Sequence, residues 1–111
     1  MKKKIKPKVI NLNKTKGKHF SILAGSPQSV TMCSGLVSLK PGDSVGEHST
    51  KDYEELIIIL EGNGIVKVKG QKLIKAKPGI AVYNPPQTEH NVINTSKKPL
   101  RYIYVVAKTK I

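Results

Sequence analysis

The stretch GDSVGEHSTKDYEELIIILEG, residues 42–62, decides how this chain is read. It opens and closes on glycine, contains His48, and runs from a group of acids into the most apolar segment of the sequence. Successive side chains of a strand point to opposite faces, so Glu55, Ile57 and Ile59 share one side and Leu56, Ile58 and Leu60 the other. Both sides are apolar apart from the glutamate. A barrel interior can bury one of them. The other needs an N-terminal strand or a second subunit over it, because an exposed apolar stripe invites aggregation. A homodimer is therefore expected.

Outside this stretch the chain keeps the same habit. Of its 111 residues, 38% are hydrophobic, and most of these are Ile, Val and Leu, which favour strands. Apolar residues alternate or form short solid runs, and no long segment repeats at helical spacing. Strands are expected at 19–25, 30–42, 54–62, 64–70, 71–79, 80–86, 89–94 and 100–107, separated by glycine and proline turns. This spacing indicates an all-β sandwich or barrel. The length suits one domain. Residues 1–18 read as a basic N-terminal arm or edge strand, and 19–111 as the barrel. Cys33 is the one cysteine, which excludes an intramolecular disulfide and a cysteine zinc cluster and suits a small buried thiol. There is neither an apolar run of membrane-spanning length nor a signal-type apolar core, so a cytoplasmic protein is expected.

The net charge of +13 raises the question of nucleic acid. The lysines are scattered, Arg101 is the one arginine, and aromatic residues do not interleave with the charges. Bidentate reading of bases and phosphates calls for arginine, so the lysines are read as a solvated surface. The acids are not scattered. Six of seven lie between Asp43 and Glu61, where Lys51 is the one lysine, and the seventh, Glu89, adjoins His90. Acids and two of the three histidines thus share two short stretches. Imidazole nitrogens with a carboxylate oxygen form a transition-metal set. The spacing alone decides neither whether His48 and His90 meet nor whether Glu54 or Glu55 joins them.

Two motifs carry a resemblance. Residues 42–62 run Gly42, five residues, His48-Ser49-Thr50, four residues, Glu55, six residues, Gly62. Residues 79–94 run Gly79, five residues, Pro85-Pro86-Gln87, two residues, His90, three residues, Asn94. Both resemble the paired motifs of the cupin superfamily over roughly residues 19–107. The resemblance implies a small double-stranded β-helix, or jelly-roll, barrel of the single-domain kind. It also implies one divalent metal, iron, manganese, nickel or zinc, held by His48, Glu55 and His90, with Glu54 facing outward. The sequence departs from the motifs twice: Thr50 stands where the family has a second histidine, and Gln87 where it has a glycine.

Loss of that histidine leaves two imidazoles and a carboxylate, a set similar to the facial triad of non-haem iron proteins, with open coordination positions. On this basis the chain is expected to be a metal-dependent enzyme, of dioxygenase or isomerase type, acting on a small polar or anionic metabolite. The alternative is a non-catalytic pocket for a sugar or organic acid. Thr50 and Met32 are expected to line the pocket and Cys33 to sit inert in the core. Tyr53 is read as a surface-loop aromatic. Tyr83, Tyr102 and Tyr104 are assigned to the core or an interface, and His19 to an exposed or capping position.

Overall fold

The computed structural model describes residues 4–109. Glycine and proline turns cut these residues into nine strands: β1 (His19–Ala24), β2 (Met32–Leu39), β3 (His48–Ser49), β4 (Tyr53–Glu61), β5 (Gly64–Val68), β6 (Ile74–Ala76), β7 (Ala81–Asn84), β8 (Glu89–Ile93) and β9 (Leu100–Lys108). They pair as a five-stranded sheet in the order β1-β2-β9-β4-β7 and a four-stranded sheet in the order β3-β8-β5-β6. Every named strand pairing is antiparallel. The architecture is the double-stranded β-helix that the motifs implied. Of the first eighteen residues, 1–3 lie outside the described residues, and 4–18 form no strand, only a short 3-10 turn at Leu12–Lys14.

β4 organises the larger sheet by pairing with β9 on one side and β7 on the other. Its alternation runs as expected: Glu55, Ile57 and Ile59 are buried between the sheets, and Leu56 and Leu60 are exposed on the outside. Ile57 and Ile59 pack with Val37, Leu39, Val66, Val92, Leu100 and Tyr102 in one apolar core drawn from both sheets. Each fully buried Ile or Leu side chain contributes roughly 1.5–3 kcal/mol.

The outer face of the five-stranded sheet is apolar too. Leu56 lies beside Val105 and Tyr83, and Ile58 beside Ile103 and Ala81. Met32 belongs to this face at the β9 register of Ala107, and it is exposed. The expectation that Met32 forms a pocket wall is therefore corrected, because the odd-numbered residues of β2, Val37 among them, face the interior. Cys33 shares the inward parity but is only half-buried near the end of the sheet, so it is not a core residue. Near the other end, residues before β1 lie over the sheet. Arg101 Nη2 donates to the Leu12 carbonyl at 3.5 Å, and Thr15 and Gly17 border a cleft with Phe20 and Leu36.

The last residue of the second motif, Asn94, closes the barrel end. It is fully buried, and its amide donates to the carbonyls of Leu39 and Lys98 at 2.9 and 2.7 Å. Its Oδ1 accepts from the Ser96 backbone N–H and hydroxyl at 2.9 and 2.8 Å. Asn94→Ala strands these buried partners and is expected to lower the free energy of unfolding by about 1–3 kcal/mol. Urea denaturation checks the figure, and an unchanged midpoint would show that the side chain is dispensable there.

Candidate metal centre

The register of β3 against β8 sets His48 directly opposite His90. Their ring centroids are 4.3 Å apart with the planes tilted by 58°. Glu55 reaches the same point from β4, so the group bridges the two sheets. One ligand atom from each of His48, Glu55 and His90 lies within 4.8 Å of the others, the one such grouping among the described residues. His90 and Glu55 are buried, and His48 lies at the exposed rim.

The hydrogen bonds around the histidines fix their tautomers. His48 Nδ1 lies 2.7 Å from the Gly46 carbonyl and His90 Nδ1 3.0 Å from the Thr88 carbonyl. A carbonyl only accepts, so each neutral ring carries its proton on Nδ1 and leaves the Nε2 lone pair free. This is the outer-shell bond that orients a metal-binding imidazole. His90 Nε2 is 2.8 Å from Glu55 Oε1, yet the pair is not aligned as a hydrogen bond, and that nitrogen is buried without a partner. Asn84, itself fully buried, donates to the same carboxylate oxygen at 3.1 Å. Two imidazole lone pairs and a carboxylate thus converge at the inner end of the site with no donor between the rings and the carboxylate. Such an arrangement is repulsive unless a cation or a proton occupies its centre. The residues present fit a divalent metal.

The titration behaviour points the same way. Burial pushes the Glu55 carboxyl up, but His90, Asn84 and His48 outweigh it and hold the group below its ordinary value. Burial pulls His90 down, but the Glu55 carboxylate and the Thr88 carbonyl outweigh it and raise its pKa. In the absence of metal the proton is therefore the competing cation.

Thr50 settles differently from a ligand. It is buried, its hydroxyl donates to the Pro85 carbonyl at 2.7 Å, and it accepts from the Thr88 backbone N–H at 3.0 Å. Gln87 N–H donates to the Lys51 carbonyl at 3.0 Å in the same seam. Both Lys51 and Gln87 are left-handed, at φ 54° and 57°. Gln87 thus keeps the conformation that the motif's glycine takes without strain. The threonine hydroxyl fastens two-residue β3 to the 85–88 turn, and so holds His48 in register.

A cavity of about 340 Å³ opens from the three side chains. Its walls are mostly apolar, with Val37, Val45, Ile57 and Val106 among them, and Thr50 lines it. Met32 does not. Tyr53, Tyr102 and Tyr104 also border the cavity, and so does His19, which sequence reasoning left out. The short period-2 run at His19 signalled a strand, but nothing in it said which strand it would border. Glu54 faces outward and accepts from the Tyr83 hydroxyl at 2.9 Å. Glu89 turns away from the site and lies 3.6 Å from Lys69.

This barrel belongs to a known class. The cupin domain family matches residues 35–106, and the chain belongs to that family. The chain is similar to the uncharacterised protein MJ1618 of Methanocaldococcus jannaschii, with 31% identity over 85 residues, covering 77% of this chain and 64% of that protein. It spans about three fifths of the length of the curated relatives it matches. Its fold is similar to that of a predicted oxalate decarboxylase of Thermotoga maritima, with a TM-score of 0.75 and 24% identity over 81% of this chain and 78% of that one. It is also similar to the DMSP lyase DddQ of Ruegeria pomeroyi, with a TM-score of 0.71 and 17% identity over 83% and 47%. Likeness at these identities establishes the fold and leaves the chemistry to the site.

Thr50→Val keeps the shape of the side chain and removes both hydroxyl bonds. It is expected to cost about 1–3 kcal/mol in unfolding free energy, with Thr50→Ser much closer to the parent. Equal stability of the valine and serine variants would exclude the fastening role.

Proposed function

We propose that this chain is a metal-dependent enzyme acting on a small organic acid or similarly polar metabolite bound in the cavity. One observation carries the reading: two Nε2 lone pairs, each set by an Nδ1-to-carbonyl bond, converge with the Glu55 carboxylate and have no donor between them. His48, Glu55 and His90 would hold the metal, which supplies Lewis acidity or oxygen activation of the dioxygenase or isomerase kind. Asn84 steadies the carboxylate, Thr50 holds β3, and the apolar walls exclude water from the bound molecule. With Thr50 occupied by backbone, three protein ligands leave positions open for a substrate. The structural neighbours named as a predicted oxalate decarboxylase and a DMSP lyase carry enzyme names on the same fold.

Metal analysis of protein purified without a metal-chelating tag tests this directly. Close to one metal per chain is expected in the parent, with at least tenfold weaker retention in His48→Ala. Substoichiometric metal that His48→Ala leaves unaltered sinks the reading. Metal without turnover across oxygen-dependent, decarboxylation and isomerisation assays moves it to a ligand-binding role. Affinity should fall as pH drops through the raised pKa of His90, because protonated Nε2 cannot coordinate. A pH-independent affinity would place the metal elsewhere.

We also propose that a second copy covers the outer face around Leu56, Ile58, Ile103 and Val105, where Leu56 is exposed and the other three are half-buried. Ile58→Lys is expected to turn a dimer into a monomer by sedimentation, and a dimer that persists in that variant contradicts the assignment.

A further inference from the structure

The cavity has a second polar pole, on β1 and β9 of the sheet that also carries Glu55. His19 opens β1 and lies outside the 35–106 family match. Its Nε2 is 2.7 Å from the Tyr104 hydroxyl, and the two rings stack at 5.8 Å between centroids with an 18° interplanar angle. Beneath them is Gly35, buried in β2 and paired with Tyr104. A Cβ there would lie 2.6 Å from the Tyr104 hydroxyl and ring and 2.7 Å from His19 Nε2. Gly35 is not among the residues with positive φ, so its backbone conformation does not call for glycine. Glycine inside a strand weakens it and marks a close approach. Here the approach is the His19–Tyr104 pair, which fills the space a side chain would take.

The pair shares its cavity with His48, Glu55 and His90. Burial, and then the Cys33 thiol and the Glu55 carboxylate, push the Tyr104 phenol up, so it remains a neutral donor. With the His19 proton on Nε2, the imidazole donates to the phenol oxygen and leaves the phenol proton for another acceptor. At the first pole a divalent cation held by His48, Glu55 and His90 would keep a net positive charge beside the one carboxylate and favour an anion. Val37, Val45, Ile57 and Val106 line the cavity that both poles share.

We propose that Tyr104, held by His19 and seated over Gly35, is a second anchor of the cavity. It donates a hydrogen bond to a second oxygen of a small acid whose carboxylate lies at His48, Glu55 and His90. This rests on the reading of the cavity as a metal-dependent small-molecule site. It narrows the ligand to a small acid with an apolar body and a second oxygen function. Tyr104 is then a binding residue, and His19 and Gly35 are positioning residues.

Calorimetric titration of the Zn(II)-loaded protein with benzoate, 3-hydroxybenzoate and 4-hydroxybenzoate tests the assignment. The better hydroxy acid is expected to bind roughly three- to tenfold tighter than benzoate, the worth of one neutral hydrogen bond. Tyr104→Phe should erase that advantage and leave the benzoate affinity unchanged. His19→Ala should reduce it, and Gly35→Ala, which leaves both residues in the sequence but displaces their polar atoms, should remove it. Benzoate binding with no hydroxyl advantage, or an advantage that survives Tyr104→Phe, overturns the anchor and leaves the site reading standing. Failure of benzoate to bind, or binding that His48→Ala leaves intact, overturns the site reading and the anchor with it. Attraction of acids to the lysine surface would show itself by the second of these results.

Discussion

The carboxylate of Glu55 is the constraint around which this barrel is arranged. It sits on the inward face of β4, in line with Ile57 and Ile59, where an ionised group is tolerated only with partners around it. β4 is paired on both edges, so Glu55 cannot move to meet its partners and they must be brought to it. β7 supplies Asn84, directly across from it. β8 supplies His90, and β3 brings His48 across from His90. The polar centre is thus assembled from both sheets, and the apolar core on one side of it strengthens the buried contacts of Glu55 with Asn84 and His90.

Holding His48 in place is the harder part of that assembly. A strand of two residues has too few ladder bonds to keep its own register, and His48 is at the rim. The seam between residues 50–53 and 85–88 does the holding: Thr50 bonds to Pro85 and Thr88, and Gln87 bonds to Lys51. Thr50 therefore acts on the site through the backbone of its neighbour and leaves the metal positions on its side open. Lys51 and Gln87 each adopt a backbone conformation disfavoured for a residue with a side chain, which shows how firmly the seam determines the chain path.

Much of this could be read in the amino-acid order, and the reason is local. The faces of β4 follow from strict alternation, and the resemblance of the two motifs to those of the cupin superfamily placed His48, Glu55 and His90 together and chose Glu55 over Glu54, which spacing alone left open. What depended on pairing between distant strands was not legible. β3 is too short to leave a period. β2 is apolar or small on both faces, with Met32, Ser34 and Leu36 against Cys33, Gly35 and Val37. Its inward parity was decided by register with β9, and Met32 was assigned to the wrong face. The role of Thr50 depends on Pro85 and Thr88, far along the chain, and His19 reaches the cavity only because β1 docks on β2.

That docking has a consequence for how the cavity behaves. β1 is an edge strand whose one ladder partner is β2, and the pairing shifts register between Ser21 and Leu23. Edge strands open more readily than central ones, at a free energy below that of global unfolding. One residue that lines the cavity, His19, is therefore carried by an edge strand of the sheet. A molecule held there binds only the closed form, so its binding energy is added to the closing of β1 by mass action. Occupancy of the interior is in this way transmitted to the amide protons of residues 19–24, and the edge of the sheet reports whether the barrel is full.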